Sequence, residues 1–187
     1  MTMRWTIVLT LFLTGCSFFS KSQSRFYSLD RIPPAAPASA ARGLPIGIDS
    51  IELPPGLDRR EIVVRKADHQ LDVRPAEQWS ASLQPLVLHT LAFDLASRLP
   101  EGTVILPGET KPAGATRSID IAFEELAAGP DAKVVLDARW IVRTAGQPDA
   151  AHREQIAINI PSLDSANIAA GMSQAIAALA DRIAAQL

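Results

Sequence analysis

The residue in this chain best suited to covalent modification is Cys16. It is the sole cysteine among 187 residues and closes the run Leu13-Thr14-Gly15-Cys16. An aliphatic residue, two small ones and a cysteine form the bacterial lipobox pattern. Small residues admit a peptidase to the bond before the cysteine, and the thiol takes a diacylglycerol at the membrane surface. The residues upstream agree: Arg4 precedes an apolar stretch from Trp5 to Leu13. Such a stretch reads as a secretory signal, too short for the roughly 20 residues of a spanning helix. The expected boundaries are a signal over residues 1–15, a lipidated tether over 16–25 and a folded domain over 26–187. Each buried acyl CH₂ contributes ~0.8 kcal/mol, so several chains hold a protein durably. Ser17 follows Cys16, where an Asp would favour inner-membrane retention. The expected address is therefore the outer membrane of a Gram-negative bacterium, facing the periplasm.

Other reactive residue types do not assemble. A lone cysteine excludes an internal disulfide and multi-cysteine metal sites. His69, His89 and His152 fall in a turn, a helix and a strand start, with no metal-ligand spacing between them. Gly171-Met172-Ser173-Gln174-Ala175 imitates a nucleophile elbow, but it lies inside an amphipathic helix rather than at a strand-to-helix turn, and no histidine follows it. Glu124 and Glu125 are adjacent on a strand, so they face opposite sides and cannot act as a pair. The expectation is no catalytic residue, no metal, no cofactor and no enzyme. With 18 basic and 20 acidic residues and a formal charge of −2, the chain also lacks the basic excess of a nucleic-acid binder.

One further cluster invites a recognition role. Leu57, Asp58 and Arg59 follow the turn Pro54-Pro55-Gly56, the strand residues Ile62–Val64 end in Arg65, and Trp79 and Leu83 come after. Two readings stay open. The charges tie down a loop while Trp79 joins the core, or Leu57, Asp58, Arg59, Arg65 and Trp79 form or support an interface, since Arg and Trp are favoured anchors there.

The elements that must position these residues follow from periodicity. Phe26–Leu29 reads as a brief strand. Leu44–Leu53 reads as a strand whose apolar phase shifts after Ile48, the mark of a bulge. Glu61–Arg65 and Leu71–Arg74 suggest a hairpin around Ala67–Gln70. A helix lies within Glu77–Leu99, with Leu88, Leu91, Leu95 and Leu99 on one face, Pro85 in its first turn and Trp79–Leu83 as a preceding turn. Thr103–Leu106 is a short strand. Ser118–Ala127 and Lys133–Thr144 form a hairpin turning at Gly129-Pro130, with Ile119 expected opposite Trp140, Phe123 opposite Leu136 and Asp120 opposite Arg139. Inward placement of Glu125 would break the alternation, so a bulge or a strand end is expected there. Glu154–Ile160 is the next strand. The last helix, capped by Asp164 or Ser165, presents Ile168, Met172, Ile176, Leu179, Ile183 and Leu187 as one stripe, with alanines on further faces. At 48% apolar residues, the whole is an α+β single domain: a mostly antiparallel sheet with two main helices packed on it.

The run Leu53, Pro54, Leu57, Asp58, Arg59, Ile62, Val63, Arg65, then Trp79 and Leu83, resembles the PqiC-like auxiliary lipoproteins of MCE-type systems, the ABC-type transport auxiliary lipoprotein components. The lipobox and the Phe26-Tyr27-Ser28-Leu29 start fit as well. The resemblance implies an outer-membrane lipoprotein that works with an MCE-domain protein and an inner-membrane transporter component. It also implies ring-like homo-oligomers, a part in phospholipid trafficking and envelope integrity, and no catalytic residue. The residues themselves permit such assembly through an Ala-rich helix face or charged outer strands. A different reading is a lipoprotein that binds a hydrophobic ligand in its own internal pocket.

Overall fold

The computed structural model describes residues 23–34, 43–114 and 116–187. Cys16, its signal and most of the tether lie outside the described residues. The chain runs β1 (Arg25–Tyr27), β2 (Ile46–Glu52), β3 (Glu61–Arg65), β4 (Leu71–Trp79), α1 (Leu83–Arg98), β5 (Val104–Ile105), β6 (Arg117–Ala128), β7 (Lys133–Thr144), β8 (Ala150–Asn159) and α2 (Ser165–Ala184). No helix of the described residues is long and apolar enough to cross a membrane.

β6 is the spine of the sheet. One of its edges pairs antiparallel with β7, which pairs antiparallel with β8. Its other edge is shared by two branches. β2 runs parallel to the first half of β6 and carries β5. β3 meets β6 at Ala128, pairs antiparallel with β4, and β4 carries β1 in parallel. The two longest ladders, β6–β7 and β7–β8, are antiparallel, as expected, and the parallel β2–β6, β2–β5, β3–β6 and β1–β4 pairings make the sheet mixed. Residues 53–60 bridge the gap between β2 and β3 and form the fork of the sheet.

Both helices pack on one face. Ile119, Ile121, Phe123 and Leu126 of β6 and Leu136, Ala138 and Trp140 of β7 join Val87, Leu91 and Leu95 of α1 and Ile168, Ile176, Leu179 and Ile183 of α2 in one core. Full burial of a Leu or Ile contributes ~1.5–3 kcal/mol, so this layer dominates the stability. The expected α2 stripe is buried at five positions and half-buried at Leu187. Ala169, Ala175, Ala177 and Ala180 are buried too, so the alanine faces are used inside the protomer. Gly171 explains how close α2 comes to the sheet. A Cβ there would meet Ile160 Cγ2 at 2.5 Å and Val134 Cγ2 at 2.9 Å.

The opposite sheet face carries neither helix. It shows ion pairs between Arg153 and Asp137 at 2.8 Å, Arg139 and Glu124 at 3.1 Å, and Arg65 and Glu125 at 3.1 Å. A small second cluster, Leu57, Val63 and Ala127 with Val73, fills the part beneath the fork.

Several expectations are met in place. β2 shifts register between Ile48 and Ser50, and β6 does so between Phe123 and Glu125. Asp164 caps α2, its carboxylate accepting from the Asn167 N–H at 2.9 Å. The β6–β7 register is a correction. Ile119 opposes Val142, Trp140 opposes Ile121, Leu136 opposes Leu126 and Asp120 opposes Ile141. The chain reverses over Gly129–Ala132, closed by Gly129 N–H to Lys133 O at 2.8 Å with Ala132 at φ +53°. That reversal is longer than a turn centred on Gly129-Pro130, and the bulge adds a further residue. Asp120 pairs instead with Arg143 on the diagonal. Trp79 is a second correction: it ends β4 rather than opening a turn, because Trp79 N–H donates to Arg60 O at 2.6 Å.

Candidate functional site

The fork loop is built by its turn residues. Leu57 N–H donates to Pro54 O at 3.1 Å and Arg59 N–H to Leu57 O at 2.8 Å. Gly56 takes φ +84°, a left-handed conformation open to glycine. The turn drives Leu57 onto the second apolar cluster, where it is 6% exposed. Asp58 is left on the surface, and its carboxylate accepts from the Gln84 N–H at 3.1 Å. Ser82, the residue ahead of α1, makes no side-chain cap of its own. Asp58 therefore supplies from afar the acceptor that the first turn of α1 needs.

Arg59 bonds Glu61 at 3.0 Å, and this hydrogen bond holds the Glu61 carboxyl below its ordinary range. Arg65 lies at the other end of β3, on Glu125. Trp79 is 2% exposed, inside the core. Of the five residues singled out in the sequence, Asp58, Arg59 and Arg65 reach solvent. Leu57 and Trp79 stand behind them as support. Asp58 and Arg59 make a rim at the fork, Arg65 stands apart at the far end of β3, and no pocket joins the five.

Other functional side chains had no sequence signal, since their partners lie far away in the chain. The segment after β1 is fastened across both helices. Asp30 N–H donates to Ser173 Oγ at 3.0 Å, Ile32 N–H to Asp94 Oδ1 at 2.9 Å, and Arg98 Nη1 to Ile32 O at 3.1 Å. Arg98 also bonds Asp181 at 2.6 Å, tying α1 to α2. Arg31 lies 3.4 Å above the Phe93 ring centre and donates to His89 Nε2 at 3.2 Å. Asp94 is 1% exposed, Oδ2 has no partner among the described residues, and burial pushes its carboxyl above the ordinary range. Ser173 is 1% exposed, its hydroxyl donating to Ala169 O at 2.8 Å, so it serves as a latch for the arm. Arg74 reaches from β4 to Ser165 Oγ and Leu163 O, both at 2.7 Å, and fixes the start of α2.

Among the described residues no three His, Cys, Asp or Glu side chains converge on one point. Glu124 and Glu125 bond separate arginines. Among the described residues, hollows open on the surface. One, of about 340 Å³, is lined by Arg117, Thr144, His152 and Gln186, and another, of about 390 Å³, lies at the β3–β4 turn beside Arg65 and Arg74.

A family model described as ABC-type transport auxiliary lipoprotein component matches residues 27–184. No curated protein matches the chain. Among solved structures, one titled only as an uncharacterized protein aligns with a TM-score of 0.72 at 15% identity, covering 88% of this chain and 98% of its own. Protein XCC0632 from Xanthomonas campestris, described under DUF330, aligns with a TM-score of 0.65 at 14% identity, covering 85% of this chain and 92% of its own. At these identities the two structures establish the shared fold. The match over residues 27–184 takes in the fork, both helices and all but the first residues of β1, and on that extent the chain belongs to the family of ABC-type transport auxiliary lipoprotein components.

Proposed function

We propose that this protein is the outer-membrane lipoprotein of an MCE-type intermembrane lipid transport system, held by acyl chains on Cys16 and facing the periplasm. It acts as a non-catalytic docking subunit that seats an MCE-domain protein, assembles as a ring-like homo-oligomer and supports phospholipid trafficking and envelope integrity. The observation that carries this reading is the family match over residues 27–184. The fork rim and the far end of β3 supply the contact: Asp58, Arg59 and Arg65 present charge, while Leu57 and Trp79 hold the backbone beneath them. Rim arginines steer association and fix register more than they add raw affinity. Arg59→Ala and Arg65→Ala should each weaken capture of the MCE partner or lower the native oligomer mass, with the melting temperature nearly unchanged. Wild-type pull-down and native mass for both variants would remove both arginines from the contact.

A further inference from the structure

The open sheet face carries an aromatic side chain at its β1 corner that the core does not claim. Phe26 is 59% exposed, the most exposed large apolar side chain among the described residues. Its neighbour Tyr27 turns inward onto the core. Phe26 pairs with Gln78, which opposes Glu61, so the ring ends a row that crosses β1, β4 and β3. One guanidinium group faces it, and a second stands one residue back on the other side of the strand. Arg60 lies 6.0 Å from the ring centre and donates to Ser80 O at 3.4 Å. Arg25 is 75% exposed and reaches Glu77 only at 3.9 Å. Neither is held in a close carboxylate pair among the described residues.

The strand beneath them is fixed. β1 pairs with Glu77–Trp79, Ser80 N–H donates to Tyr27 O at 2.7 Å, and the Asp30–Ile32 arm is latched to both helices. An exposed aromatic ring beside a guanidinium group, with a second guanidinium on the same edge strand, suits the headgroup layer of a bilayer: the ring enters the acyl boundary and the guanidiniums take lipid phosphates. Chain length puts this occupant within reach. Phe26 is ten residues beyond Cys16, at most about 35 Å of extended chain.

We propose that Phe26, Arg25 and Arg60 contact the phospholipid headgroup layer and set the orientation of the domain on the membrane. This rests on the acyl-anchor reading of Cys16. The β1 corner then faces lipid, and β8, at the opposite edge of the sheet, points away from it.

The test uses acylated protein in phosphatidylethanolamine–phosphatidylglycerol vesicles containing a brominated lipid quencher. A polarity-sensitive fluorophore is placed at Gln78→Cys, beside Phe26, or at Ala157→Cys on β8, the native thiol being blocked by its acyl chain. The probe at 78 should be quenched several-fold more than the probe at 157. Combining Phe26→Ser with Arg25→Glu and Arg60→Glu should bring it down to the level at 157. Equal quenching at both sites, or quenching at 78 that survives those substitutions, overturns the proposal. Shielding at 78 that persists in detergent shows a protein covering the corner, and also overturns it. Labelling of Cys16 itself, or protein that fails to float with vesicles, overturns the anchor and this contact with it.

Discussion

Asp58 caps α1 from outside the helix. Its carboxylate accepts from the Gln84 N–H at the start of α1, where unpaired backbone donors and the helix dipole favour a negative group. Asp58→Ala should lower stability by about 0.5–2 kcal/mol in urea unfolding, the usual cost of a lost cap, and Asp58→Asn should restore most of it. An unchanged midpoint for Asp58→Ala would remove the cap. Asp94 acts in the opposite electrostatic sense. Burial raises its carboxyl above the ordinary value while the Ile32 N–H bond and Arg98 oppose the rise. A raised folded value means the folded protein binds the proton more tightly than the unfolded chain. The contribution of this group is full below the ordinary carboxylate range and is lost as pH rises through the folded value. Asp94→Asn should remove that decline from the pH dependence of stability, and a parallel profile for variant and parent would contradict the assignment. Residue identity alone reveals neither role. Asp58 lies 26 positions from its helix partner and Asp94 lies 62 from Ile32, distances at which a single sequence carries no trace of contact.

Elements were more legible than side-chain partners. The α2 stripe, the Asp164 cap, the β2 phase shift and the bulge before Glu125 all follow from spacing, because local sterics and one buried face decide them. The β6–β7 register did not follow. A reversal lengthened over Gly129–Ala132 and the bulge before Glu125 together displace every pair, and a hydrophobic alternation of period two tolerates a shift of two residues without exposing its apolar face. Nothing local in the sequence shows that β4 runs on through Trp79 to pair with β1, so spacing alone places Trp79 in a turn. Gly171 carries a sharper consequence. It imitates a nucleophile elbow in sequence, whereas in the fold it lets α2 descend onto Val134 and Ile160. Gly171→Ala gains helix propensity but forces those methyls apart, so the net effect should be destabilising by about 1–3 kcal/mol. A neutral or raised melting temperature would show that the two layers slide apart easily.

At the scale of the molecule, a two-layer sandwich leaves one sheet face without helices, and the fork rim and β1 corner lie along it. The interior is filled by aliphatic side chains of both layers, and the hollows at Arg117 and at the β3–β4 turn lie on the surface. β1 joins that body to the chain leading back to Cys16, so a pull from Cys16 would load its ladder with Glu77–Trp79 first, the Asp30–Ile32 arm on both helices being the second hold. The function proposed here depends on a membrane tether at that one thiol. Intact-mass spectrometry of the protein recovered from the outer-membrane fraction tests it most directly. The account predicts a chain beginning at Cys16 and heavier than its sequence by a diacylglyceryl and an N-acyl group. A chain retaining residues 1–15, or a Cys16 with a free thiol, would contradict it.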